Sequence, residues 1–420
     1  MPRFRIYYGW YIVAASLLLI ILDGLLLYSF GVFLPFLDAD YGISRVGGSS
    51  IFAFRSIVLA FSLTLAGRLV DKYDPRVVVL VGGVIAAAGL LLSRFATEAW
   101  HFYLSYGFLI GLGDGVLYIT CVTLVSRWFV KRRALVIGII TTGIPLSGFI
   151  TPPLTEWLIR DFGTREAFQW LTVIFMVILM SALALRSYPS DMNLKPYGEN
   201  GPETKGNNNE NGGRNGKSWS LMEAIRTPVF WVMYAMYICG FITFLVVVIH
   251  LFSYAVDLGF PTAAAAFAPA CIGIGSIVGR IIISGFVVEV MRSERVLFFC
   301  YILQGASIIL ILFLREIWAF YLFGLLFGVF YSGWVPIFPN LLGNFFGLNS
   351  LGSIYGFFGT SYSIAAITGP LIAGIIYKTT GSYHDAFLVI ILFCAIAALG
   401  SFFIKAPKIR ENTPEASISP

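Results

Sequence analysis

The chain has 420 residues, 58% hydrophobic and 12% charged, with a mean hydropathy of +0.85. A soluble domain carries about 25% charged residues, so a water-soluble enzyme or binding module with an oversized core is excluded. The net charge of +6 would suit nucleic acid only if the basic residues shared a soluble face; they sit instead in short loops between apolar runs, and no nucleic-acid partner is expected.

A bilayer core takes roughly 20 apolar residues per helix. Twelve candidate spans start near Gly9, Gly47, Val77, Trp100, Ala134, Glu166, Val229, Thr262, Val296, Ile317, Leu351 and Tyr383. The opening "MPRFRIYYGW" leads into a run too long for a cleavable signal peptide, with no small-residue cleavage site behind it. Asp23 lies in span 1. "GRLVDKYDPR", Gly67 to Arg76, joins spans 2 and 3, and "GLGDGVLY" places Asp114 in span 4.

Between spans 6 and 7 comes the one long polar stretch, "ENGPETKGNNNENGGRNGKS", Glu199 to Ser218. With nothing apolar to bury it reads as a flexible linker. Ser220 and Glu223 then have capping-box spacing and Pro228 ends the turn, which predicts a short helix lying on the inner membrane surface. The expected organisation is a six-helix bundle over 1–188, a cytoplasmic linker over 189–219, a second bundle over 220–404 that opens with the short helix, and a tail over 405–420.

Span 7 carries "HLFSYAVD". His250, Ser253 or Tyr254, and Asp257 share one helical face there, which makes Asp257 and His250 candidates for binding a proton. Asp23 and Asp114 are the mid-depth rivals. Span 8 reads "GSIVGRIIISGF" from Gly275 to Phe286, with Arg280 alone among apolar and small residues. An unpaired arginine at mid-membrane costs about 2.5–3.5 kcal/mol on insertion scales. A water-filled cavity or an anion lowers that cost, and the flat guanidinium suits a carboxylate. The competing roles are a permanent ion pair with a buried Asp, or snorkelling to the inner end of the span. Gly273, Gly275 and Gly279 predict close helix packing rather than a dinucleotide fingerprint. In span 10, "FYSGWVPIFPN" predicts a bend at Gly333, Pro336 and Pro339, with Tyr331 at mid-depth.

Lys and Arg concentrate in the loops on the side of both chain ends, so both termini are expected in the cytoplasm of a multi-pass inner or plasma membrane protein. Arg55 is assigned to an outer span end in that tally. Asp71, Lys72, Arg76, Lys131, Arg132 and Arg133 lie on the inner side, where ion pairs would latch the two halves together. The halves repeat in order: "FYLSYGFLIGLGDG" from Phe102 matches "FYLFGLLFGVFYSG" from Phe320, and "ITPPLTEWLI" around Pro153 matches "ITGPLIAGII" around Pro370. This implies two six-span bundles in parallel orientation.

"GRLVDKYDPR" resembles the loop signature of the major facilitator superfamily. "YGWYIV" from Tyr8, "YSFGVFLPFL" from Tyr28, "WFVKRRALVIGIITTGIPLSG" from Trp128 and "LMEAIRTPVFW" from Leu221 resemble the monocarboxylate transporter family and its bacterial oxalate/formate-antiporter relatives. The resemblance implies an all-α fold of twelve transmembrane helices in two pseudo-symmetric bundles, and transport of lactate- or pyruvate-like acids with a proton. It implies that Arg280 binds the carboxylate and that a tyrosine at Tyr118 faces the pathway. Two positions depart from the family pattern: an aspartate often stands where Ser276 is, and animal members carry a lysine where Tyr28 is. Tyr331, Tyr118, Tyr28 and Ser276 are therefore expected to shape a small pocket around Arg280, with Arg280 its one fixed cation.

No G-x-S-x-G, H-E-x-x-H or Walker loop is present, so neither catalysis nor a cofactor is expected. The five cysteines sit singly in apolar runs and read as small hydrophobes rather than metal ligands. Organic-anion exchange, export of apolar drugs and a membrane sensor on a transporter fold are the alternatives. A lone arginine argues against a dianion, and a tail too short for a signalling domain argues against the sensor.

Overall fold

The computed structural model describes residues 7–43, 45–198, 219–313 and 316–407. Among the described residues twelve helices are long and apolar enough to cross a membrane: span 1, Gly9–Phe33; span 2, Ser50–Lys72; span 3, Pro75–Ser93; span 4, Ala99–Trp128; span 5, Arg133–Phe162; span 6, Thr164–Ala184; span 7, Pro228–Leu251; span 8, Phe267–Val290; span 9, Ser293–Phe313; span 10, Ile317–Phe346; span 11, Leu351–Tyr377; and span 12, His384–Phe403. Their starts fall within a few residues of the sequence expectation. Spans 1–6 and 7–12 form two six-helix bundles, and by alternation the start of span 1 and the end of span 12 share one face, here called the termini face.

Local chemistry sets several boundaries. Asp74 caps span 3 by accepting from the Arg76 N–H at 2.9 Å, with Pro75 at the first helical position, where its missing N–H costs nothing. The predicted capping box forms: the Ser220 N–H donates to Glu223 Oε2 at 2.8 Å, and the Glu223 N–H donates to Ser220 Oγ at 3.3 Å, at the head of the helix Leu221–Ile225. Pro228 does not merely end this turn; it opens the long helix Pro228–Asp257 that contains span 7. Most of the expected flexible linker, residues 199–218, lies outside the described residues. Its first part, 189–198, is mostly exposed but tied down at Tyr197: the Tyr197 N–H donates to the Trp128 carbonyl at 2.9 Å, and the Val130 N–H donates to the Tyr197 carbonyl at 3.1 Å.

The halves meet along two seams, span 2 against span 11 and span 5 against span 8. At the first, Gly67, Gly352 and Gly356 let backbones touch, since a Cβ on any of them would strike the opposing helix. At the second, a Cβ on Gly138 would strike the Arg280 carbonyl. Gly275 and Gly279 pack on the span 10 backbone at Leu325 and Val329, as their spacing predicts, whereas Gly273 faces Phe149.

Span 10 breaks where expected, between Ile317–Trp334 and Ile337–Phe346. Span 5 also breaks, at Thr142, between Arg133–Thr141 and Gly143–Phe162. Two further stretches widen into π-helical turns, Tyr103–Ile110 just before Asp114 and Ile283–Val287 just after Arg280. Such turns often accompany functional sites.

Candidate functional site

A central cavity of about 140 Å³ lies between the bundles. A cavity of roughly 150 Å³ holds benzene, so a molecule of about that size fits this one. Span 8 brings in Arg280, span 10 Tyr331, span 4 Tyr118 and Asp114, and span 1 Tyr28 and Asp23. Six of the expected site residues therefore share one wall-to-wall space.

Arg280 is only 4% exposed. Among the described residues no carboxylate pairs with it. Its Nη1 donates to the carbonyl of Thr141 on span 5, and its Nε has no hydrogen-bond partner. The Thr141 carbonyl accepts for a structural reason. Its helical donor would be the N–H of residue 145, and that residue is Pro145. Proline thus leaves an acceptor open at the break in span 5, and the arginine from the other half fills it. Arg280 is also one of the residues that line the cavity.

The walls near Arg280 are aromatic. Tyr331 stacks on Phe244 with ring centroids 3.9 Å apart and planes 6° apart, and Tyr118 lies 6.3 Å from Tyr355. Tyr237, Tyr355 and Tyr362 add three more phenols to the lining. The sequence reading missed these three, which have no marker beyond their residue type.

Across the cavity stands a second arginine. Arg55 on span 2 is 2% exposed and forms an ion pair with Asp114 Oδ2. Its guanidinium also lies 5.3 Å from the centre of the Phe52 ring. This corrects two expectations: Arg55 is not an outer-end residue, and Arg280 is not the one cation at the site. The missed signal is the one that marked Arg280, a charge inside an apolar run, "IFAFRSIVLAF".

Three expected site residues stand apart. Ser276 does not line the cavity; it is packed against span 10, where its carbonyl accepts from Ser332 Oγ at 2.7 Å. Asp257 ends its helix in an exposed position. The His250 ring lies against Tyr383, centroids 4.9 Å apart, in a cluster that includes Tyr377. Neither Asp257 nor His250 reaches the cavity lining.

At the termini face the expected latch residues divide. Asp71 Oδ2 accepts from the Ser353 N–H at 2.7 Å, and its Oδ1 accepts from the Gly352 N–H at 3.1 Å and from Arg127 at 3.0 Å. A carboxylate of the first half thus sits at the N-terminus of span 11, where the helix dipole favours it. Arg133 donates to Asn344 Oδ1 at 2.9 Å, and Arg132 pairs with Glu289 at 3.5 Å; both contacts cross between halves. Among the described residues the other three make no ion pair or side-chain hydrogen bond across the halves. Arg76 pairs with Asp74 at 3.3 Å in its own loop, Lys72 is exposed, and Lys131 is exposed with its backbone N–H on the Tyr197 carbonyl.

The family model for the Major Facilitator Superfamily matches residues 16–292 and 273–419. Among curated proteins, Monocarboxylate transporter 13 of Rattus norvegicus is 26% identical over 91% of this chain and 85% of its own length. Among solved structures, the E. coli fucose:proton symporter FucP aligns with a TM-score of 0.69 at 16% identity, covering 94% of this chain and 98% of its own. The proton:xylose symporter XylE, bound to 6-bromo-6-deoxy-D-glucose, aligns with a TM-score of 0.76 at 13% identity, covering 95% and 96%. At these identities the two structures speak for the fold alone.

Proposed function

The chain belongs to the Major Facilitator Superfamily, and from that premise we propose that it carries a small monocarboxylate of lactate or pyruvate type across the membrane together with a proton. The observation that carries this reading is Arg280, a buried cation with no carboxylate partner among the described residues, which lines a small cavity rich in aromatic side chains. A buried charge without a partner is expensive. A substrate carboxylate offers the missing charge and matches the guanidinium in shape.

In this reading Nη1 stays anchored on Thr141 while Nε and its neighbour receive the two carboxylate oxygens. The Tyr331, Tyr118 and Tyr28 hydroxyls meet the carboxylate or a hydroxyl next to it, and the rings cover a short carbon chain. Transport follows from the two halves rocking about this site. The contacts of Asp71, Arg132 and Arg133 hold the termini face shut in one state and separate in the other. A monoanion moving with one proton carries no net charge. The curated relative's name supports the acid class at the level of a 26% identical homologue.

A second reading has one observation in its favour. Arg55 lies in the same cavity, so exchange of organic anions, oxalate against formate for example, would find two cations there. The Arg55–Asp114 pair counts against it, because one of those cations is already neutralised. Proteoliposomes separate the two. Lactate uptake driven by an inward proton step supports symport, whereas uptake that requires a loaded internal anion supports exchange. Normal uptake by Arg280→Ala overturns both.

A further inference from the structure

The proposed function needs a proton site, and the span 7 candidates do not reach the cavity. We propose that the carboxyl pair Asp23–Asp114, held by Arg55, is where this protein carries its proton. The charge of that pair balances the substrate on Arg280 across the same cavity.

Asp114 is 2% exposed, its Oδ2 is paired with Arg55, and its Oδ1 has no hydrogen-bond partner. Asp23, on span 1, is partly exposed and lines the same cavity as Asp114 and Arg55. Two carboxylates and the one guanidinium paired with Asp114 are one negative charge in excess. Like charges in close approach cannot both stay ionised unless a further cation offsets them. That cation is Arg280. With all four groups ionised the empty cavity is neutral. When a monocarboxylate neutralises Arg280, the excess charge of the carboxyl pair is left uncompensated in a low-dielectric space, and one proton on the pair restores neutrality. The count then gives one proton per acid.

Arg55 fixes which carboxyl can respond. It holds Asp114 in an ion pair, so Asp23 is the member that gains and loses the proton, and Arg55 is a positioning residue. Besides Arg280, the polar groups that line the cavity with the pair are phenols, among them Tyr362 of span 11, Tyr118 of span 4 and Tyr28 of span 1, and the hydroxyl of Ser56 on span 2; span 5 contributes Ile144.

The coupling half of this inference rests on the monocarboxylate reading; the protonation half does not, and the experiment keeps them apart. The first readout needs no substrate. Infrared titration of the reconstituted full-length protein should show a protonated-carboxyl band that grows as pH falls. The band should be lost in Asp23→Asn, restored at a shifted position in Asp23→Glu, and unchanged in Asp257→Asn. The second readout uses lactate. A one-unit inward pH step should drive about tenfold accumulation in the native protein, a tenfold ratio being the equivalent of one proton per acid. Asp23→Asn should lose that accumulation far more than it loses lactate–lactate exchange, and Asp23→Glu should regain part of it. A band that persists in Asp23→Asn, or full pH-driven accumulation by that variant, overturns the proton site. If the band behaves as stated but the native protein moves no lactate at any pH, the proton site stands and the monocarboxylate reading falls.

Discussion

Arg55 and Arg280 invite comparison because the same residue type, buried to nearly the same degree on corresponding helices of the two halves, is treated in opposite ways. Arg55 meets a carboxylate of its own half, Asp114, and an aromatic ring, Phe52. Among the described residues Arg280 meets a backbone carbonyl of the other half, made available by Pro145, and keeps Nε without a hydrogen-bond partner. A buried guanidinium with a carboxylate is a closed structural unit. One with a neutral anchor still carries its whole charge into the cavity and is oriented without being neutralised. Burial alone therefore does not mark a ligand-binding cation; the partner does.

The largest effect that would break this contrast is at Arg280. Arg280→Ala is expected to weaken lactate binding by at least about a hundredfold, in line with the several kcal/mol attached to a buried bidentate charge pair, with little loss of fold. Isothermal titration or binding-induced thermal shift checks it. Arg280→Lys should rescue poorly, because a point charge cannot present two parallel donors.

At Arg55 the expected loss is of stability. Arg55→Met leaves Asp114 buried without its partner, and breaking such a pair costs about 3–5 kcal/mol. Thermal unfolding reads this. The double variant Arg55→Met with Asp114→Leu should recover most of the loss, since an apolar pair replaces an ionic one. An unchanged melting temperature in Arg55→Met would contradict the assignment of Arg55 as a closed pair.

The same two residues show what could be read in advance. Apolar runs, a capping box and an ordered repeat carry the twelve spans and the two halves, because hydrophobic length and local capping are properties of neighbouring residues. Arg280 was legible as a charge in an apolar stretch. Arg55 is equally visible, but apolar length leaves the start of span 2 undefined to within several residues, and its partner Asp114 lies two helices further on. Ser276 and Asp257 failed for a different reason. Helical spacing puts residues on one face of their own helix, but which face meets the cavity depends on tilt and on neighbours such as span 10, which covers Ser276. The anchor at Thr141 had a clear local cause, a proline four residues later, but its consequence lay on another half of the molecule.

The termini face offers a milder test of the two-body arrangement. Asp71 accepts two backbone N–H bonds at the N-terminus of span 11, whereas the Arg132–Glu289 pair is half-exposed and worth little. Asp71→Asn keeps a hydrogen-bond acceptor but removes the charge that suits the helix dipole, a loss of about 0.3–1 kcal/mol. That should raise the fraction open at this face by about two- to fivefold. Faster thiol labelling of a Ser353→Cys background would report it, and Lys72→Gln, which touches nothing across the seam, should leave the rate unchanged.

The smallest effect bears on how Arg280 is held. Pro145→Ala gives residue 145 an N–H, which can then donate to the Thr141 carbonyl and complete the helical bond that the proline prevents. Arg280 Nη1 would have to share its anchor. The guanidinium keeps its charge, so the carboxylate should still bind, but it must now be ordered on binding instead of beforehand. A neutral hydrogen bond nets about 0.5–1.5 kcal/mol, and sharing one should lower lactate affinity by about threefold while leaving the proton count per acid unchanged. A loss as large as that of Arg280→Ala would mean that the Thr141 contact is itself the site's main interaction. No loss at all would mean that the break in span 5 shapes the helix without orienting the arginine.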